Sequence, residues 1–195
     1  MAQPGRSIFE EVGQDTPTRQ TAQTGMIERG GGRGARRGIR AWLIALFALI
    51  TVMVLVGGMT RLTDSGLSIT EWNLVGGSLP PASAEVGSAG FEKYQQSPQY
   101  RLMNEGMSLS EFKSIYWWEW GHRQLGRFIG LVWIAGFLFF ALTKRVPGGW
   151  NGRLLTIGVM IGVQGAVGWW MVHSGLQGEM TSVASYRLAT HLGLA

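Results

Sequence analysis

The chain has 195 residues, of which 46% are hydrophobic and only 15% charged, with a formal net charge of +5. The basic residues sit beside apolar runs, where they orient membrane segments, so the charge argues against a nucleic-acid ligand. Cysteine is absent, which excludes disulfides, thiolate metal sites and thiol catalysis.

Nine Trp and 30 Gly fit a membrane protein, Gly for close helix packing and Trp for the interfacial belt. The mean hydropathy is only +0.11, so polar segments must dilute the spans. In chain order, residues 1–38 are polar and Gly-rich and read as a disordered cytoplasmic tail. Glu10, Glu11, Asp15 and Glu28 argue against a mitochondrial transit peptide. Residues 41–59 form an uncharged apolar run long enough to cross a bilayer. Arg33, Arg36, Arg37 and Arg40 precede it, which places its N-terminus in the cytoplasm. No A-x-A-like cleavage site follows directly, so the run reads as a retained span.

Residues 60–119 form a long, acid-leaning loop expected on the outer face, with turns at Pro80-Pro81. Ser108 and Glu111 have the spacing of a capping box. Phe112, Ile115, Tyr116, Glu119 and His122 then follow at helical spacing. The second span is expected at 120–143, with Lys144, Arg145 and Arg153 again on the cytoplasmic side. The third is expected at 154–172, ending in the belt-like Trp169-Trp170. A fourth starts near Ser182 and is cut short at Ala195, because a span needs about 20 residues. The fold class is therefore an all-α integral membrane four-helix bundle, and the chain reads as an N-terminal piece of a longer protein.

Histidine is scarce, with three in the chain, and ionisable groups inside membranes mark function. The second and fourth spans run the same way, which brings His122 and His191 to similar depths. That geometry suits two imidazoles clamping a heme iron. The alternative is that each is a lone interfacial histidine bonded to a neighbour. Glu119, one turn outward from His122, could bind a substrate, relay protons or position water. It could equally be a solvated carboxylate or an ion pair with Arg123 at i+4. Arg123, Arg127 and Arg187 could pair with heme propionates or snorkel to headgroups. His173 is expected to face the outer loop. The aromatic run 116–120 reads first as a belt and second as a porphyrin-packing surface.

These residues resemble the heme A synthase family. The resemblance rests on 57–68 (GGMTRLTDSGLS), Glu71-Trp72, Pro80-Pro81, 111–123 (EFKSIYWWEWGHR), 164–172 (QGAVGWWMV) and 185–192 (SYRLATHL). It covers about residues 40–195, and the lack of cysteine points to the alphaproteobacterial and mitochondrial branch without a loop disulfide. The resemblance implies eight spans in two pseudo-symmetric four-helix bundles. It implies oxidation of the heme O methyl to a formyl group, giving heme A for terminal oxidases, with water as the expected oxygen source. Glu119 matches the glutamate required for the reaction, and His122 and His191 match the first half's heme ligands. The second half, with its own histidine pair and an expected heme b, would lie beyond this chain. Implied partners are heme O, heme O synthase, cytochrome oxidase assembly factors and the bilayer, with homo-oligomerisation left open. The implied location is a bacterial inner membrane, ahead of the mitochondrial one, with the N-terminus cytoplasmic. The competing reading is a b-type cytochrome anchor that carries electrons only, which needs both histidines but not Glu119. A heme-free membrane scaffold or transporter half would need none of the three.

Overall fold

The computed structural model describes residues 33–71, 77 and 84–195. Residues 1–32 of the expected tail, Trp72 and Pro80-Pro81 lie outside the described residues. Six helices follow in order: α1 Arg33–Leu62, α2 Ala84–Gln95, α3 Pro98–Met103, α4 Leu109–Leu142, α5 Asn151–Gly175 and α6 Ser185–Leu194. Residues 33–38, expected in the tail, are instead the first turns of α1. The physical reason is that arginine is a good helix former and its long stem can reach outward from a helix end.

Three helices are long and apolar enough to cross a membrane: Gly34–Leu62, Leu109–Leu142 and Asn151–Gly175. Phe47, Leu55, Leu131 and Val159 on them are between 62% and 73% exposed, as suits faces turned to lipid. Helix α4 has 34 residues, about 51 Å at 1.5 Å per residue. That exceeds a hydrocarbon core of roughly 30 Å, so α4 is longer than a single perpendicular crossing needs. The capping box sets its start. Ser108 Oγ accepts the Glu111 amide at 3.3 Å, and Glu111 Oε2 accepts the Ser108 amide at 2.8 Å. Helix α6 begins at Ser185, after an extended Ala184, three residues beyond the start expected near Ser182.

α1 packs on α4, α4 on α5 and α5 on α6. Two contacts are built alike. The Trp42 indole lies against Gly136, and its Nε1 donates to Val132 O at 3.0 Å. The Trp133 indole lies against Gly158, and its Nε1 donates to Leu154 O at 3.2 Å. In both, a missing Cβ makes a notch for the ring, and the carbonyl four residues earlier takes the indole proton. Small residues and interhelical hydrogen bonds replace the hydrophobic effect where lipid is the solvent.

The long loop is partly helical. Ser97 caps α3 by accepting the Tyr100 amide at 3.2 Å, and Pro98 opens the helix. Tyr94 and Phe112 are fully buried and pack ring to ring, 5.2 Å between centroids. Tyr94 donates to Gln99 Oε1 at 3.1 Å, while Gln99 Nε2 donates to Asp64 O at 3.0 Å. Burial raises the Tyr94 phenol pKa, which keeps it protonated as a donor. This aromatic and polar cluster fixes the turn after α1 against the N-terminal part of α4 without any disulfide.

Candidate functional site

The site starts from that turn. Thr60 O accepts both the Ser65 amide at 3.0 Å and the Ser65 hydroxyl at 3.1 Å. The Ser68 amide then bonds Ser65 O at 3.1 Å. Ser65 and Ser68 are buried, and the fold-back lays Ser68 and Ile69 across α4.

Glu119 lies beneath them, only 3% exposed. Its Oε2 accepts the Ser68 hydroxyl and the Ile69 amide, each at 2.7 Å. Its Oε1 pairs with Arg123, whose guanidinium also donates to Ile69 O at 3.1 Å and to Glu71 O at 3.3 Å. Of the alternatives open in sequence, the i+4 ion pair forms and the solvated carboxylate does not. A buried carboxylate persists only when its lone pairs are engaged and its charge is opposed. Here both conditions are met.

His122 follows one turn along α4. A Cβ placed on Gly57 of α1 would stand 3.1 Å from its Nε2. His191 on α6 meets the corresponding feature on α5, where a Cβ on Gly168 would stand 3.0 Å from Cε1 and 3.5 Å from Nδ1. Each imidazole thus occupies a glycine notch on its neighbouring helix. His191 Nδ1 is buried without a hydrogen-bond partner. A pair of notched imidazoles, one with an orphaned nitrogen, fits heme ligation, because a ligating histidine offers one nitrogen to iron and the other to a neighbour. Among the described residues no group of three or more His, Asp or Glu could hold a metal ion by itself.

The three arginines differ. Arg123 is engaged with Glu119 and the 69–71 backbone. Arg127 donates to Gly77 O at 3.4 Å. Arg187 donates to Trp170 O at 2.8 Å and lies over the Trp170 ring, 4.5 Å from its centroid. His173 stacks on Trp169 and bonds Gln177 at 2.8 Å, away from the other two histidines in its bonding. Ser68 and Ile69 were not singled out from sequence as partners of Glu119. They lie about fifty residues away in the chain, and no local periodicity links them to it. Gln164, which donates to His191 O at 2.8 Å, was missed as well. Its signal was a polar residue inside an apolar span.

Residues 40–195 match the COX15-CtaA family model, described as cytochrome oxidase assembly protein. Heme A synthase of Ruegeria pomeroyi is 65% identical over 192 residues, covering 97% of this chain and 50% of that protein. Heme A synthase of Dinoroseobacter shibae is 60% identical over 190 residues, covering 97% of this chain and 50% of that protein. Heme A synthase of Paracoccus denitrificans is 58% identical over 190 residues, again 97% and 50%. The chain spans about half the length of the curated relatives it matches. No solved structure matches it. With four-fifths of its length inside one family model and this identity to several relatives, the chain belongs to the COX15-CtaA family of cytochrome oxidase assembly proteins.

Proposed function

We propose that this chain is the N-terminal half of a membrane-embedded heme A synthase. In this reading heme O is the substrate, its iron held between His122 and His191, with Glu119 beside the methyl to be oxidised. A resident heme b belongs to the second half. Oxidation proceeds through an alcohol and then a geminal diol, which loses water to leave the aldehyde. Overall, one water supplies the oxygen, and four protons and four electrons leave. The electrons go to an acceptor outside this half. The N-terminus faces the cytoplasm and the turn after α1 faces outward, across a bacterial inner membrane.

The observation that carries the reading is the burial of the Glu119–Arg123 pair one turn from His122. An electron carrier needs two axial ligands and a dry pocket. It has no use for a desolvated carboxylate at the ligand's side, and burying one costs several kcal/mol unless it is paired. Arg123, Ser68 and Ile69 hold that carboxylate in one orientation. The basic clusters at Arg36, Arg37 and Arg40 and at Lys144, Arg145 and Arg153 support the orientation.

The test is Glu119→Gln in the full-length protein. The amide keeps the shape and keeps an acceptor for Ser68, while Arg123 retains two backbone carbonyls. The variant is expected to insert and bind heme, and to accumulate heme O or a partly oxidised intermediate. Heme extraction and chromatography from cells carrying only the variant read this directly. Normal heme A levels would remove Glu119 from the chemistry, leave it the task of tying the loop to α4, and favour the electron-carrier reading of this half.

A further inference from the structure

Two buried polar atoms face a shortage of partners at the same junction of α5 and α6. Gln164 Oε1 and His191 Nδ1 are both buried and unpaired. The residues are already in contact, because Gln164 Nε2 donates to His191 O at 2.8 Å. Gly168, one turn along α5 from Gln164, opens the notch that the His191 ring enters with Cε1 and Nδ1 near the helix. One atom is an acceptor without a donor. The other is a ring nitrogen that becomes an N–H donor when the opposite nitrogen binds iron.

We infer that Gln164 is a positioning residue for His191, bracketing it with one amide: Nε2 holds the backbone carbonyl, and Oε1 accepts the Nδ1 proton of the iron-bound imidazole. The inference rests on the proposed heme site. The bracket fixes the plane of the ring against α5 and raises its basicity as an iron ligand. An unpaired acceptor in an apolar span is costly, so the free amide oxygen is a feature the ligand-bound state uses. Alanine at position 168 would close the notch and press on the ring, so Gly168 and Gln164 act together on one imidazole.

The experiment compares Gln164→Leu and Gln164→Glu in the full-length protein. Heme in this half is isolated as the difference spectrum against His122→Ala. Gln164→Leu removes both hydrogen bonds. It is expected to weaken heme retention roughly 10- to 100-fold and to raise the midpoint potential, since a less basic imidazole favours ferric iron less. Gln164→Glu keeps an acceptor at the same reach. It is expected to restore retention and to bring the potential to or below the wild-type value. If Gln164→Leu leaves potential, low-spin spectrum and retention unchanged, the bracket is wrong. If both variants shift the potential the same way, Gln164 acts by packing alone and the inference falls. Should Gln164→Leu fail to accumulate, the Gln164→Glu potential still decides, because a rise above wild type contradicts the bracket. Absence of any low-spin heme in the wild-type difference spectrum would remove the proposed site itself, and the bracket with it.

Discussion

The two ends of the helix array use one packing device for different purposes. At the basic end, Trp42 and Trp133 each enter a notch left by a glycine on the next helix, Gly136 and Gly158. Each indole proton goes to a backbone carbonyl, so the contact is complete in itself. At the loop end, His122 and His191 enter notches at Gly57 and Gly168, and His191 Nδ1 is left unpaired. A closed notch locks two helices. A notch that leaves a ring nitrogen unsatisfied leaves hydrogen-bonding capacity to spare, which the proposed heme site would use. The difference lies in the ring and its hydrogen bonds, not in the backbone.

The sharpest way to break this comparison is to remove the rings at the loop end. His122→Ala or His191→Ala should abolish the bis-imidazole spectrum of heme held in this half, the largest effect expected. His173→Ala should leave the spectrum intact, because that ring stacks on Trp169 and bonds Gln177 instead. An unchanged spectrum in a folded His122→Ala protein would mean the loop-end notches hold no iron ligand.

A smaller effect is expected from filling a notch at the basic end. Gly158→Ala places a methyl on the Trp133 indole, which Leu154 O already pins. Overpacking of this kind costs about 1–3 kcal/mol, read as a lower unfolding midpoint in detergent. The heme spectrum should not change. Loss of the spectrum at undiminished stability would show that the basic end also shapes the ligand pocket.

How far these contacts could be read in advance varies with their range along the chain. The start of α4 was legible because a capping box is local, with Ser108 and Glu111 three residues apart. His122 and His191 were candidates on depth alone, since two spans expected to run the same way place like residues at like depths; the glycine that each ring meets, Gly57 and Gly168, lies on another helix. The ion pair of Glu119 with Arg123 was legible at i+4 as one alternative. Its burial was not, since that depends on the turn at 63–71 folding over α4 through Ser65 and Ser68. Helices α2 and α3 were hidden in a stretch read as polar loop. The Ser97-Pro98 pair that caps α3 was the available signal. The glycine notches could be anticipated only as a general excess of glycine, because which ring meets which glycine is set by the rotation of each helix about its axis.

The smallest effect separates the ring from its proton. Trp42→Phe keeps an aromatic ring for the Gly136 notch and deletes the Nε1 donor to Val132 O. That carbonyl still receives the helix's own hydrogen bond in the regular i to i+4 pattern, so no buried acceptor is orphaned. Interhelical side-chain hydrogen bonds in membranes average about 0.6 kcal/mol. Phe is also smaller than Trp, so some contact with Phe140, now 5.7 Å ring to ring, is lost too. A destabilisation of about 1 kcal/mol is therefore expected, measured against Trp42→Ala, which empties the notch and should cost about 3 kcal/mol or more. If Trp42→Phe were as damaging as Trp42→Ala, the hydrogen bond and not the filled notch would be what joins α1 to α4. The likeness drawn between the two ends, which rests on rings filling glycine notches, would then fail at the basic end.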